Sequence, residues 1–347
     1  MKANLTRRVA FAPVVLVVAG LVLAGCSSSP APGGKTVTFA TAPTPRGTWP
    51  YPNGDMANSR DATGSTISSG NVSKLEEAWT FKLTGPTTAG VTGYGSLAAA
   101  PIVENGVVYL QDLYSNVYAL ALATGRLKWE YQLNSPEKSG PGPNGVAVVG
   151  GTVYGTSPTT VFALNAVTGH TIWVNNHLLS NGEGTFGIQP QVADGRVYLA
   201  SQFGTGPGGG VLLALDASSG ALLWRFNTVL GNDRGVGALG AGSGGAWETP
   251  LVGTNGTVTY GIGNPYQTAA SAIAHPSRQL YTDSDVTLDA ATGKLLWYYQ
   301  GVPNDFWDWD MQASPISVTA NGVPVVIGGG KMGYVYEMNA ATGKLIW

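Results

Sequence analysis

The sequence is poor in cysteine and in charge. Its 347 residues include one cysteine, Cys26, so the chain cannot form a disulfide within itself. Charged residues make up 11% of the chain, against about 25% in a typical soluble domain. The formal net charge of −2 offers no basic surface for the phosphate backbone of a nucleic acid. The composition therefore argues against nucleic-acid binding.

Glycine, by contrast, is abundant and accounts for 50 of the 347 residues, about twice its usual share. Many short strands joined by glycine turns, with little helix, would produce this composition. The three histidines, His170, His177 and His275, are scattered and form no catalytic motif. The sequence therefore favours an all-β fold, and the chain is long enough for one large domain.

The first 26 residues have the pattern of an export signal. Three basic residues precede the apolar run Val9–Val22, and small residues directly precede Cys26. The run is shorter than the about 20 residues that a membrane-spanning helix needs. The segment resembles a bacterial lipoprotein signal, which implies that residues 1–25 are cleaved off and that Cys26 is lipidated. An uncleaved N-terminal anchor is the alternative. Residues 26–48, rich in Ser, Pro, Thr and Ala, are then expected to form a flexible tether.

A nine-residue unit recurs along the rest of the chain about every 45–50 residues, the range of propeller blades. In each copy a polar turn ending in glycine precedes a strand that carries tryptophan. We expect the tryptophan ring to pack between neighbouring sheets, and the glycine to let the next sheet approach it. The copies are ALATGRLKW ending at Trp129, NAVTGHTIW ending at Trp173, DASSGALLW ending at Trp224, DAATGKLLW ending at Trp297 and NAATGKLIW ending at Trp347.

A second hairpin is predicted upstream of the unit in most repeats. Pairs of Asn-Gly or Asp-Gly lie between short apolar runs, and such pairs are the strongest short-range signal of a β-hairpin. Two hairpins per repeat predict four antiparallel strands, which make one blade of a β-propeller. The pairs are Asn105-Gly106, Asp194-Gly195, Asn255-Gly256 and Asn321-Gly322.

The number of repeats predicts an incomplete propeller. About five four-stranded blades follow a lone strand, Leu75–Leu83, which contains Trp79 and is expected to close the ring by completing the last blade. The final repeat stops on Trp347, so we expect the blade that would pair with this strand to be missing.

The repeats, the opening stretch Trp49–Leu83 and the stretch Gly261–Asp310 together are similar to the quinoprotein alcohol dehydrogenases. Members of this family are eight-bladed β-propellers that bind pyrroloquinoline quinone (PQQ) and a metal ion. The resemblance covers nearly the whole of residues 49–347 and identifies them as a PQQ-type β-propeller domain that lacks its C-terminal blades. It implies PQQ and a Ca²⁺ or lanthanide ion as cofactors.

The resemblance assigns roles to five residues. Asn264 would bind the metal through its amide oxygen, Asp308 would be the catalytic base beside the metal, and Asp310 would be the extra acid of members that use lanthanides. On one strand, residues two apart point to the same side, so Asp308 and Asp310 could face one ion. Trp247 would stack on the quinone, and Lys331 would contact its oxygens. Each position also has a purely structural interpretation, as a turn, an acidic loop, blade packing or an exposed lysine.

The sequence departs from the family at three places. Thr205 stands where a glutamate normally binds the metal, and the surrounding loop has no carboxylate. The family's adjacent pair of cysteines is absent, and Gly145 follows Asn144 where an arginine is expected. The loss of an anionic ligand weakens a site for a hard metal ion, although Glu248 could compensate.

Two functions remain open from the sequence. The first is a PQQ-dependent dehydrogenase that oxidises an alcohol or a sugar outside the cytoplasmic membrane, passes electrons to an acceptor, and is held to the membrane by a lipid on Cys26. The second is a catalytically inactive, membrane-tethered propeller that acts as a binding or assembly scaffold. The residues typical of the active site favour the first function. The departures at Thr205 and Gly145, the missing cysteine pair and the lipoprotein anchor favour the second.

Overall fold

The computed structural model describes residues 37–39, 47–62, 64–84, 97–135, 145–202, 204, 209–230, 244–274, 276, 279–311 and 313–347. These residues belong to one compact unit, Thr36–Trp347. The only α-helix among them, α1, is the short segment Ala269–Ala274, and the prediction of an all-β fold is confirmed. Within this part of the chain, no helix has the length and apolar character that crossing a membrane requires.

The described strands form five antiparallel sheets, which we number as blades 1 to 5. Blade 1 contains β2 (Ile102–Glu104), β3 (Val107–Gln111), β4 (Val117–Ala121) and β5 (Leu127–Tyr131). Blade 2 contains β6 (Ala147–Val149), β7 (Thr152–Thr156), β8 (Val161–Asn165) and β9 (Thr171–Asn175). Blade 3 contains β10 (Thr185–Phe186), β11 (Gln191–Ala193), β12 (Arg196–Gln202), β13 (Val211–Asp216) and β14 (Leu222–Asn227). Blade 4 contains β15 (Leu251–Gly253), β16 (Thr257–Gly261), β17 (Ser284–Asp289) and β18 (Leu295–Gln300). Blade 5 contains β19 (Ile316–Ala320), β20 (Val323–Gly329) and β21 (Val335–Asn339), and β1 (Val37–Phe39) pairs with β19.

The hairpins form where the sequence predicts them. Asn105 and Gly106 join β2 to β3 with φ of 51° and 73°, and Asn321 and Gly322 join β19 to β20 with φ of 51° and 79°. Two consecutive residues with positive φ match the twist of the flanking strands, which is why Asn-Gly is favoured there. Asp194 and Gly195 behave in the same way.

Neighbouring blades are joined by the tryptophan and glycine of the repeat, as predicted. A Cβ atom on the glycine of one blade would lie 2.5–2.7 Å from the tryptophan ring of the preceding repeat, so only glycine admits the ring. The indole N–H then donates to a backbone carbonyl of the same blade as the glycine, at 2.8–3.0 Å. The pairs are Trp79 with Gly125, Trp129 with Gly169, Trp173 with Gly220, Trp224 with Gly293, and Trp297 with Gly343.

Trp79 packs on a glycine as the repeat predicts, but the segment around it is not a strand. Trp79 packs on Gly125 of blade 1 and donates to the carbonyl of Leu122 at 2.8 Å. Residues 75–84 nevertheless have no strand assignment, because no other described segment pairs with their backbone. The predicted closing strand is therefore not observed in this part of the chain.

Residues 49–60, which we call the opening segment, tie three blades together. Trp49 exchanges two backbone hydrogen bonds with Val103 of blade 1, at 2.8 and 2.9 Å. Met56 accepts from the side-chain amide of Gln191 in blade 3. Asn58 donates to the carbonyl of Pro315, just before blade 5, at 2.9 Å. The segment thus links blades that are distant from one another in sequence.

Blade 4 carries the longest connection between its strands. Residues 262–283 join β16 to β17 and include helix α1, whereas the other blades connect the equivalent strands more directly. This insertion, together with the loop that follows β18, forms the candidate site.

Candidate functional site

Four loop segments meet at the end of blades 4 and 5. The backbone N–H of Gly263, after β16, donates to the carbonyl of Gly245 at 2.8 Å, and Gly244 donates to the carbonyl of Asn264 at 3.0 Å. The backbone N–H of Lys331, after β20, donates to the carbonyl of Asp310 at 3.0 Å. The backbone alone therefore joins the segments that carry the predicted site residues.

Asn264 lies at the centre of this meeting point and is buried. Its backbone N–H donates to Asp310 Oδ1 at 2.8 Å, and its side-chain Nδ2 donates to Asp308 Oδ1 at 3.1 Å. Its remaining polar atom, Oδ1, is buried and has no hydrogen-bond partner among the described residues. Burying an amide oxygen without a partner costs about 1–3 kcal/mol, so this atom is available to a ligand at little cost.

Lys331 joins the two carboxylates of the site. Its Nζ lies 3.0 Å from Asp308 Oδ2 and forms a closer ion pair with Asp310 Oδ2. Burial alone would lower the pKa of Lys331, but the hydrogen bonds and charges of Asp310 and Asp308 raise the pKa above its ordinary value. The ammonium group therefore stays protonated.

The two carboxylates differ in exposure. The side chain of Asp308 is 57% exposed, whereas that of Asp310 is fully buried. Burial raises the pKa of Asp310, and the hydrogen bond from Lys331 opposes this rise. Asp308 is thus the carboxylate that a molecule in solution can reach. Asp310 forms a buried ion pair with Lys331.

The loop that carries these acids is not the strand that the sequence analysis assumed. Residues 301–311 have no strand assignment, and Asp308 has a left-handed backbone conformation with φ of 66°. Asp308 and Asp310 therefore do not lie on one strand, and the prediction of a shared strand is wrong. Both carboxylates still converge on Lys331, because the loop is held by the buried side chain of Asp305, which accepts from the backbone N–H groups of Trp307 and Trp309.

Trp247 lies against the glycine that precedes Asn264. A Cβ atom on Gly263 would lie 2.6 Å from Asp310 Oδ1 and 2.9 Å from the ring atom Cη2 of Trp247. Glycine is therefore required for Asp310 and Trp247 to approach the same piece of backbone. The structure brings together all five residues that the sequence predicts: Trp247, Asn264, Asp308, Asp310 and Lys331.

The donors of the site fit a hard metal ion in chemical type. They comprise the free amide oxygen of Asn264 and the carboxylates of Asp308 and Asp310, and oxygen donors are what Ca²⁺ and similar ions prefer. Within the described ranges, no three His, Cys, Asp or Glu side chains are grouped so as to hold a metal. Thr205, Asn144 and Cys26, which the sequence analysis also singles out, lie outside these ranges.

Glu248 borders the site on another side. It lines a cavity of about 630 Å³ together with Arg60, Ser314 and Lys331. Its Oε2 accepts from Ser314 Oγ at 3.4 Å. Burial raises the pKa of Glu248, and the charge of Arg60 opposes this rise. Among the described residues, the hydrogen bond of Glu248 is therefore with Ser314 in the wall of the cavity.

Two buried acids near the site were missed by the sequence analysis. Asp283 and Asp285 are fully buried, and none of their carboxylate oxygens has a hydrogen-bond partner among the described residues. Burial and the charges of Asp305, Asp310 and Asp308 raise the pKa of Asp283. A comparison of the repeat copies would have indicated Asp285, because the equivalent position in the other blades is apolar.

Tyr266 was also missed. It is half-buried, follows Asn264 by two residues and has a left-handed backbone conformation with φ of 47°. Burial and the charges of Asp310 and Asp308 raise the pKa of Tyr266 to about 12. Its hydroxyl therefore keeps its proton beside the two carboxylates.

One family model matches most of the chain. The model described as the β-propeller domain of glucose/ethanol/alcohol dehydrogenases matches residues 49–148 and 182–347. The quinoprotein alcohol dehydrogenase PedH of Pseudomonas putida is 27% identical over 309 residues, which cover 80% of this chain and 50% of that protein. The chain spans about half the length of the curated relatives that it matches.

Two solved structures are similar to this chain in fold. The quinohemoprotein alcohol dehydrogenase ADHIIG of Pseudomonas putida superposes with a TM-score of 0.73 at 27% identity, over 87% of this chain and 48% of that chain. A europium-containing methanol dehydrogenase superposes with a TM-score of 0.71 at 24% identity, over 87% of this chain and 57% of that chain, a likeness of fold.

Proposed function

Because the chain belongs to the family of the glucose/ethanol/alcohol dehydrogenase β-propeller domain, we propose that it contributes the quinone and metal site of a PQQ-dependent dehydrogenase. The substrate is an alcohol or a sugar, and the electrons pass to a separate acceptor. The domain works outside the cytoplasmic membrane, to which a lipid on Cys26 attaches it. The names of the relatives support the cofactor and the alcohol substrate.

In this proposal Asn264 and the carboxylates of Asp308 and Asp310 hold a Ca²⁺ or lanthanide ion, while Trp247 and Lys331 flank the quinone. When bound, the quinone accepts the hydride and the metal ion polarises its carbonyl group. Asp308 takes the hydroxyl proton of the substrate, since its carboxylate is exposed and is oriented by Asn264 Nδ2. Lys331 stays protonated and supplies a fixed positive charge next to the reacting oxygens.

One observation carries the proposal, namely the buried and unpartnered Oδ1 of Asn264 beside two carboxylates. An unpaired buried amide oxygen is costly, and a bound ligand would remove that cost. A hard cation would satisfy it and would use both carboxylates as ligands.

A different observation favours the second candidate function, the catalytically inactive scaffold. Lys331 forms ion pairs with both Asp308 and Asp310. An internal ammonium group of this kind can stabilise two carboxylates permanently, in which case the site is a structural remnant. The two candidates differ in whether a metal ion and a quinone displace Lys331 from one of its partners.

Reconstitution separates the two candidates. We expect the full chain, titrated with PQQ in the presence of Ca²⁺ or La³⁺, to bind the quinone, and the loaded protein to reduce an artificial dye with an alcohol. Asp308→Asn should lower the turnover number by about 10²–10⁴-fold, because the amide cannot take the proton, while quinone binding and the melting temperature stay close to those of the native protein.

Asp216→Asn, at an exposed turn of blade 3, is the matched control and should retain full turnover. Failure to bind PQQ with either ion would support the scaffold function. Binding with unchanged turnover in Asp308→Asn would remove Asp308 as the base but would leave the cofactor site standing.

A further inference from the structure

The buried side chain of Asp305 holds the loop on both sides of Asp308. Asp305 is 1% exposed, its Oδ1 accepts from the backbone N–H of Trp307 at 2.7 Å, and its Oδ2 accepts from the backbone N–H of Trp309 at 2.9 Å. The carboxylate therefore ties the residue before Asp308 and the residue after it to one point. Between these two bonds, Asp308 has φ of 66°.

A left-handed conformation is unfavourable for most residues other than glycine, and aspartate adopts it only occasionally. Such a conformation persists where the surrounding structure imposes it. In this loop no β-ladder is present to impose it, since residues 301–311 have no strand assignment. The two hydrogen bonds to Asp305 are therefore the local contacts that fix the backbone of Asp308.

A turn in blade 1 has the same construction and shows that the geometry is a property of the turn itself. Asp112 is buried and accepts from the backbone N–H groups of Tyr114 and Asn116, both at 2.9 Å. The residue between them, Ser115, has φ of 67°. As in the Asp305 turn, an aspartate accepts from donors at positions +2 and +4 and the residue at position +3 is left-handed, although Asp112 uses Oδ1 for both donors and Asp305 uses one oxygen for each.

The two turns differ in what the left-handed residue does. Ser115 is buried within blade 1. Asp308 instead projects its carboxylate toward Asn264 Nδ2 at 3.1 Å and Lys331 Nζ at 3.0 Å. The same turn is thus used once to complete a blade and once to present a reactive group.

We propose that Asp305 is a positioning residue that holds Asp308 in its left-handed conformation and so aims its carboxylate at Lys331 and Asn264. The structural part of this inference is independent of the proposed function. Only its consequence for turnover rests on that function. The carbonyl of Asp305 is itself fixed, because it accepts from the side-chain amide of Gln267 at 2.9 Å.

Chemical labelling of Lys331 tests the inference without any cofactor. The Lys331 side chain is 37% exposed, so an amine-reactive reagent can reach it, and its reaction rate falls when Asp308 holds the ammonium group. Asp305→Asn replaces one acceptor oxygen by an NH₂ group, which cannot accept a hydrogen bond. We expect the labelling rate of Lys331, measured by mass spectrometry of its peptide in the full chain, to rise several-fold.

The matched control is Asp112→Asn, which makes the same chemical change in the same type of turn in blade 1. It should leave the labelling rate of Lys331 unchanged. In an Asp308→Asn background, Asp305→Asn should cause no further increase, because the carboxylate that it positions is already gone.

The inference is overturned if folded Asp305→Asn labels Lys331 at the native rate, or if Asp112→Asn raises the rate equally. Should Asp305→Asn fail to fold, Asp305→Glu keeps the charge, displaces the carboxylate by one methylene and is expected to raise the rate in the same direction. If the protein binds PQQ, Asp305→Asn should lower the turnover number with little change in the Michaelis constant. A protein that binds no quinone would contradict the proposed function and leave the labelling result intact.

Discussion

At the level of single residues, Asp285 differs from its counterparts in the other blades. It lies opposite Tyr299 in the register of blade 4, two residues before the position that pairs with the repeat tryptophan. The same position holds Val117 in blade 1, Val161 in blade 2 and Leu212 in blade 3, all fully buried. A carboxyl group thus occupies a place that the fold fills with an aliphatic side chain.

The neighbouring blade makes room for this carboxyl group. A Cβ atom on Gly328 of blade 5 would lie 1.7 Å from Asp285 Oδ2, so the carboxyl group lies directly on the glycine backbone. Burial raises the pKa of Asp285 to about 8. Because an unpartnered buried charge is very costly, Asp285 is held as the neutral acid at neutral pH.

This protonation predicts a stability that falls as the pH rises. In the unfolded chain Asp285 ionises near pH 4, whereas in the folded protein it keeps its proton up to about pH 8. Between these values the folded state binds one proton more, so the unfolding equilibrium constant rises by up to about tenfold per pH unit. Asp285→Asn removes this dependence, and its stability advantage over the native protein should widen from pH 5 to pH 8 in chemical denaturation.

Asp289→Asn, on the same strand, is the control. Asp289 lies half-buried at the end of the strand, and its hydrogen bonds with Thr292 lower the pKa of its carboxyl group, so its contribution is lost in acid and is constant above pH 5. If the difference in the free energy of unfolding between the native protein and Asp285→Asn stays constant from pH 5 to pH 8, Asp285 is not a buried neutral acid.

Single residues also show what the sequence could and could not predict about the site. Asn264, Asp308 and Lys331 were predicted to meet because their neighbours in sequence match a known family. The ion pairs of Lys331 with both carboxylates were not predicted, since the partners of a side chain depend on how separate loops approach. The role of Asp305 was hidden for the same reason.

At the level of secondary-structure elements, each repeat makes the same contact with the next blade, that of a tryptophan ring with a glycine. The glycine at each turn combines a positive φ with a ring pressed against its Cα, and both features exclude a side chain. Hairpins and blades were predictable because turn residues and apolar alternation are local signals. The conformation of the loop after β18 was not predictable, because it depends on the hydrogen bonds of Asp305 and follows no periodic pattern.

Gly220→Ala measures the contact between blades 2 and 3. Its Cβ atom would lie 2.5 Å from the ring of Trp173 at a φ of 72°, so we expect the free energy of unfolding to fall by about 2–4 kcal/mol through crowding and backbone strain. Gly195→Ala, in the same blade, has φ of 71° and nothing within 4 Å of the added atom. This substitution should lower the free energy of unfolding only by the backbone strain, about 1–2 kcal/mol. If both variants lose the same free energy in chemical denaturation, the contact with the tryptophan ring does not contribute to the loss.

At the level of the whole molecule, the propeller domain must be delivered to a compartment in which it can work. The proposal that Cys26 carries a lipid predicts that Cys26→Ser abolishes the incorporation of labelled fatty acid and releases the protein from the membrane fraction. A thioether-linked lipid is the anchor in this case, and each buried methylene contributes about 0.8 kcal/mol to membrane binding.

Ser27→Ala is the control and should keep both the label and the membrane association. If Cys26→Ser stays in the membrane fraction without any label, the apolar run Val9–Val22 is itself the anchor, and the lipoprotein interpretation is wrong.

The contacts of the opening segment imply an order in which parts of the domain assemble during synthesis. It leaves the ribosome before any blade exists, yet Asn58 bonds to Pro315, which lies 257 residues later in the chain. At about 5–20 residues per second, synthesis of this partner follows by roughly 13–50 s. The blades are made one after another and each can dock on its predecessor as it emerges. The part of the domain that is synthesised first therefore completes its contacts last, once blade 5 has arrived to receive it.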